Sequence, residues 1–306
     1  MGPSPQVRPL NEQGTALEVE AAGGARYVLR AAKEEAFAGQ TAERLELLRW
    51  LAGQGIPAAA PVPLDGGRQG FLAGEDGRRY WLAPWLPSGP AAETPDWYAR
   101  AAAAVARLHR ALAAYPGEIR SGRMDLARGT LKADAPLLRA FLAAAGWADF
   151  AHVRAGFERA AAYLAQRLPG RLPGLPAQRI HGDCRSSNIL WEGGRVTGIL
   201  GLDHLPWGPR VFDLGCFLAS LAGSRFHAPD ENEAWFNGLR PFLLGYQAEM
   251  PLSEAEITIL PAVMMAAQVR FAAGAARCGS AEQARSHLEA LFWLDAHSGQ
   301  ILHEMA

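Results

Sequence analysis

The chain has 306 residues, long for one domain and short for three, and 49% are hydrophobic, enough for one large or two packed cores. Lys and Arg number 30 against 31 Asp and Glu, which excludes the overall charge footprint of a nucleic-acid or membrane-surface binder. Cys184, Cys216 and Cys278 show no metal-ligand spacing, so free thiols in a reducing compartment are expected.

The first residues, MGPSPQVRPLNEQG, contain no apolar core of a signal peptide, and no stretch is expected to reach the ~20 apolar residues of a membrane span; a soluble cytoplasmic protein is expected. ALEVEAAGGARYVLRA predicts two strands joined at Gly23-Gly24. EEAFAGQTAERLELLRWLAGQG follows at helical spacing, with Leu45, Leu48, Trp50 and Leu51 apolar and Gly53 or Gly55 near its end. After the Pro-rich GIPAAAPVPLDGG, two short strands are expected around GRQGFLAG and RRYWLAPWL. LPSGPAAETP marks the boundary between an N-terminal lobe over 1–86 and a mostly helical lobe over 87–306. DWYARAAAAVARLHRALAAY and the segment from ADAPLL to LAQRL predict helices, RLPGLPAQ breaks the pattern, NILWEGGRVTGIL predicts a hairpin around Gly193-Gly194, and helices resume from VFDLGCFLASL. No repeat appears, so a helical-repeat scaffold is excluded.

Between the break and the hairpin lies RIHGDCRSSNIL. An aspartate in a non-helical stretch, Asp183, can take the proton of a hydroxyl attacking phosphorus, and Asn188, five residues on, offers a neutral oxygen to magnesium. A base and a metal ligand on one loop, followed by a hairpin returning a second ligand, is the arrangement of kinases.

The segment RIHGDCRSSNILWEGGRVTGILGLDHLPWGPRVFDLG resembles the catalytic region of the aminoglycoside phosphotransferase/choline kinase-like family. YVLR, GIPAAAPVP, WLAPWLPSG, VARLHRAL and FLLGYQAEMPLSEAEI resemble further family pieces in the right order, so the likeness spans roughly residues 8 to 275. It implies an α+β, two-lobed protein-kinase-like fold, with a small sheet-plus-helix lobe for nucleotide and a larger helical lobe for catalysis and substrate. It also implies ATP and Mg2+ as cofactors and a small-molecule substrate, with no nucleic-acid or membrane partner. Carried over by position, Asp183 is the catalytic base and Asn188 a magnesium ligand. Asp213 and His181 steady the loop, Arg30 stands on the strand that meets nucleotide phosphate, and Trp85 and Leu86 lie in the hinge against which adenine stacks. Gly14 is the sole glycine of the phosphate loop.

Three positions depart from the family pattern. Gly201 occupies the place of the second metal-binding aspartate, thirteen residues after Asn188 and twelve before Asp213. Asp203, two residues later and on the same face of an extended strand, is the candidate replacement; the other possibility is that catalysis is lost. Arg30 replaces the usual lysine, with Glu43 and Glu46 as candidate ion-pair partners or simply a solvated helix face. Arg185 contacts the γ-phosphate or an acidic substrate, or else pairs with a nearby carboxylate. Arg210 is read as structural or peripheral to the substrate pocket, and the acidic run Asp230–Glu233 as either suited to a cationic substrate or a solvated loop. The implied activity is ATP-dependent phosphorylation of a hydroxyl on an aminoglycoside, amino alcohol, homoserine-like compound or sugar. The alternative is a pseudokinase that binds nucleotide, metabolite or partner protein.

Overall fold

Alternating side chains and glycine turns build an antiparallel sheet at the N-terminus of the protein, seen in a computed structural model. The structure describes residues 6–10, 16–31, 38–63, 72–75, 78–202, 204–222 and 229–306. Strands β1 (Gln6–Pro9), β2 (Ala16–Glu20), β3 (Arg26–Ala31), β4 (Leu72–Ala73) and β5 (Arg79–Pro84) form one sheet in the order β1-β2-β3-β5-β4, every neighbouring pair antiparallel. Along β5 the period of two is visible in burial: Trp81 and Ala83 are buried while their neighbours are more exposed. Helix α1 (Ala38–Gly53) buries Leu45, Leu47, Leu48 and Leu51, a stripe at helical spacing.

Two compact units divide the chain. The first contains 1–90 together with 114–120 and 190–203, so the hairpin that follows Asn188 belongs with the sheet. That hairpin is β7 (Ile189–Glu192) and β8 (Arg195–Ile199). The Pro-rich connection meets its end, with Ile199 N–H donating to Pro57 C=O at 2.8 Å.

The second unit, 91–113, 121–189 and 204–306, is helical. It holds α2 (Pro95–Ala114), α3 (Leu126–Arg128), a π-helical turn over Gly129–Asp134, α4 (Ala135–Ala144), α5 (Phe150–Arg171), α6 (Val211–Ala222), α7 (Pro229–Gln247), α8 (Glu254–Arg277), α9 (Ala281–Ala296) and α10 (Ser298–Met305). Strand β6 (Ala177–Arg179) pairs antiparallel with β9 (Trp207–Pro209), bracketing residues 180–206. Helix α8 is the axis of this unit and packs against α4, α5, α6, α9 and α10. By length and composition it could cross a membrane, contrary to the expectation that no stretch would. Most of it is buried in the protein, which makes it a core helix. Its N-terminus carries a full capping box, in which Ser253 and Glu256 satisfy each other's backbone N–H groups. The run Asp230–Glu233, read as a loop, instead begins α7.

Candidate active site

Two residues on one face of α6 hold the segment from His181 to Asn188. Asp213 sits fully buried in the first turn of α6, and Ser220 lies two turns on. The Asp213 carboxylate accepts the backbone N–H of His181 at Oδ2 (2.6 Å) and of Gly182 at Oδ1 (2.9 Å). Ser220 Oγ accepts the backbone N–H of Ser186 at 2.9 Å. The sharp path between those anchors depends on Gly182. Its φ is +80°, and a Cβ there would fall 2.5 Å from Pro206 Cδ, so both backbone angle and space demand glycine.

Asp213 carries a second tier of bonds. His109 Nε2 lies 2.8 Å from Asp213 Oδ2, and His109 Nδ1 lies 2.8 Å from the Tyr246 hydroxyl. A carboxylate only accepts, so Nε2 carries the proton. Burial works to raise the Asp213 pKa; the His109 bond, the nearby His109 and His181 rings and the Gly182 N–H outweigh it and hold the group below the ordinary carboxylate value. His109 and Tyr246 were not assigned roles from sequence, although both lie in the quoted helical motifs. The signals that mark them are the motif positions themselves and, for His109, a polar residue on an otherwise apolar stripe.

His181 is fully buried, and its Nδ1 accepts the backbone N–H of Asp183 at 3.2 Å. Asp183 and Asn188 meet at the other end of the loop: Asn188 Nδ2 donates to the Asp183 carbonyl at 2.7 Å. Arg185 Nε donates to Asp183 Oδ1 at 2.7 Å, and its guanidinium lies 4.4 Å from the ring centroid of Phe271. Cys184 and Cys216 are buried beside these groups; burial and the charge of Asp213 push both thiols well above their ordinary pKa, so they stay protonated.

The fold family implies a magnesium ion, and the donor set can be tested for it. With its N–H turned to Asp183, Asn188 keeps Oδ1 as a hard ligand atom. Among the described residues no cluster of three or more His, Cys, Asp or Glu could hold a metal. The Asn188 amide oxygen is a hard donor of the kind magnesium takes alongside phosphate and water. Gly201 has φ +74°, a backbone angle suited to glycine and unfavourable to an L side chain. Asp203, the candidate replacement, and Gly14 lie outside the described residues.

Within the sheet unit, Arg30 on β3 is paired in register with Trp81 on β5, its guanidinium 5.5 Å from the indole centroid. Trp85 has one face covered by the Arg26 guanidinium at 3.8 Å. Leu86 packs where a Cβ on Gly198 of β8 would come within 2.8 Å of its Cδ1. Glu43, one candidate partner for Arg30, receives both the side chain and the backbone N–H of Arg120, at 3.1 and 3.0 Å. In the helical unit Arg210 forms a two-pronged pair with Glu256, at 2.7 and 2.9 Å, tying the start of α6 to the capped end of α8.

A small antiparallel sheet lobe, a helical unit and an Asp-Asn loop pinned by a buried aspartate define a kinase-like phosphotransferase fold. The chain belongs to the phosphotransferase enzyme family (APH), which it matches over residues 7–249. It is 28% identical over 231 residues to an uncharacterised protein of Deinococcus radiodurans, covering 74% of this chain and 64% of that protein. It is 27% identical to a homoserine kinase of Phenylobacterium zucineum (86% of this chain, 78% of the relative), and 30% identical to viomycin phosphotransferase of Streptomyces vinaceus (64% and 68%). Among solved structures, an aminoglycoside phosphotransferase of Alicyclobacillus acidocaldarius shares the fold at TM-score 0.66 and 17% identity, covering 98% of this chain and 90% of that one. Amicoumacin kinase hAmiN, in complex with AMP-PNP, Ca2+ and Ami, does so at 0.66 and 17%, covering 94% and 88%.

Proposed function

We propose that the chain transfers the γ-phosphoryl group of ATP to the hydroxyl of a small molecule, with Asp183 as the base. The observation that carries this reading is the loop itself. A carboxylate and an amide oxygen five residues apart lie on one loop, whose start is anchored by the buried Asp213 and whose two ends are joined by the Asn188–Asp183 bond. Positioning of this kind supplies much of the acceleration in phosphoryl transfer. Asp183 would accept the acceptor's hydroxyl proton. Arg185 Nε engages Asp183 Oδ1 at 2.7 Å, so this pair must open for an acceptor hydroxyl to reach that oxygen. Asn188 Oδ1 would hold a magnesium ion, which when bound neutralises charge on the phosphates. Arg30, Trp85 and Leu86 are the candidates for nucleotide contact. The analogue-bound amicoumacin kinase and the homoserine and viomycin kinases support a nucleotide donor and a small alcohol as acceptor.

A second reading, binding of nucleotide or metabolite without turnover, is favoured by Gly201, where the family's metal-binding aspartate is absent and the backbone angle suits glycine. Calorimetry with ATP and magnesium, followed by product detection with a panel of alcohols, separates the two. Asp183→Asn should bind nucleotide within about threefold of wild type and lose phosphoryl transfer by ~10²-fold or more. Failure of the wild type to bind ATP would end the transfer reading and the nucleotide form of the second, and an equal rate in the variant would end the role of Asp183.

A further inference from the structure

The cleft beside Asp183 has a charge imbalance that phosphoryl transfer alone leaves unused. It is a cavity of about 330 Å³ within the helical unit, bordered on one side by the π-helical turn and on another by α8. Among the described residues its charged lining is Asp134, Asp183, Arg185, Arg270 and Arg277. Each carboxylate already has a guanidinium: Asp183 bonds Arg185 at 2.7 Å, and Asp134 bonds Arg277 at 2.5 Å. Arg270 is the fifth group. Among the described residues it has no hydrogen bond or ion pair, and its guanidinium lies 5.5 Å from the ring centroid of Phe212. A guanidinium against an aromatic ring keeps its N–H edge for a planar anion.

We propose that the acceptor is a small alcohol bearing a carboxylate, which pairs with Arg270 while the hydroxyl meets Asp183. This rests on the phosphotransferase reading above and narrows it to a substrate class. One unpaired guanidinium balances one negative charge, which suits a carboxylate better than a phosphate dianion. Among the described residues the lining is already one positive charge in excess, which a polycationic aminosugar would meet as repulsion. A cavity of this size also matches a compact molecule. In the reaction, the acceptor oxygen forms a bond to the γ-phosphorus and its proton passes to Asp183. The bond from that phosphorus to the β,γ-bridging oxygen breaks, and ADP leaves with the electron pair; nothing is oxidised or reduced.

Two matched pairs of acceptors test the proposal with Mg·ATP: L-homoserine against 2-amino-1,4-butanediol, and glycerate against glycerol, with kanamycin as the polycation. Phosphorus NMR of the ester and release of ADP give the rates. A carboxylated member should exceed its partner at least about tenfold in kcat/KM, since a charged hydrogen-bonded pair is at stake. Arg270→Gln should raise KM for that acceptor about 10- to 100-fold while kcat stays within about threefold, and Arg270→Lys should recover part of the loss. Equal kcat/KM within both pairs, a preference for kanamycin, or an unchanged KM in Arg270→Gln overturns the proposal. The comparison within each pair uses only the wild type, so it stands even where a variant folds poorly. Calorimetry of the two carboxylated probes provides a readout independent of transfer. Binding that disappears in Arg270→Gln, without any turnover by wild type, supports the anion site and refutes phosphotransfer. Turnover indifferent to the carboxylate does the reverse.

Discussion

Replacing Asp213 with asparagine tests the anchor beneath the loop. The Asp213→Asn change keeps the size of the native side chain but exchanges one acceptor for an N–H donor. In the better of its two orientations the amide oxygen retains His181 N–H and His109 Nε2, and the new NH2 faces Gly182 N–H. Two buried donors then lack an acceptor, at ~1–3 kcal/mol each, and the remaining bonds weaken because their acceptor is neutral. Removing the charge from a buried pair is of similar size, and the total should be about 3–5 kcal/mol. For a domain of this length each kcal/mol moves the midpoint by ~2–4 °C, so Tm should fall by roughly 8–15 °C. Urea titration followed by tryptophan fluorescence and a thermal melt would measure it. A His109→Ala, Asp213→Asn double-mutant cycle should give a coupling of about 1 kcal/mol or more. A loss below about 1 kcal/mol, or strict additivity with His109→Ala, would refute the claim that these bonds hold the loop.

Gly182→Ala introduces a methyl 2.5 Å from Pro206 Cδ at a φ of +80°; it should cost more than about 2 kcal/mol in urea unfolding and abolish transfer, whereas the same change at exposed Gly24 should cost about 1 kcal/mol. His287 Nδ1 lies 2.9 Å from Gln268 Oε1, and burial together with the charge of Arg185 lowers its pKa to about 4. The unfolded chain takes up this proton near pH 6.5, so stability from His287 is full above that pH and lost as pH falls toward 4. The loss is about 2–3 kcal/mol after allowance for partial exposure. Urea midpoints measured from pH 7 to 4 should decline less in His287→Phe than in wild type; parallel slopes would contradict it.

Strands β2 and β3 were legible because Gly23-Gly24 stands between two alternating runs, and the β7–β8 hairpin was legible for the same reason at Gly193-Gly194. The β6–β9 pairing was not: each strand has three residues and its partner lies across the whole catalytic segment, leaving no local pattern to read. Nor was the π-helical turn over Gly129–Asp134, which lies in one continuous helical run between α3 and α4 with nothing in its spacing to mark the change of pitch. Asp183 and Asn188 stood out through their spacing, and Asp213 through the family resemblance of FDLG. Arg270 did not, because among so many arginines nothing local marks the one whose charge the fold leaves without a carboxylate. That distinction exists only after α8 is set beside the π-helical turn and the loop.

The double tier of bonds on Asp213 also changes what counts as a loop in this protein. The backbone N–H groups of His181 and Gly182 belong to no helix or strand, yet both end on a fully buried carboxylate that His109 holds in turn. Releasing either one requires opening the packing of α2 and α6, not a local flicker. In deuterated solvent those two amides should exchange as slowly as the interior of α8, with a protection set by unfolding of the helical unit as a whole.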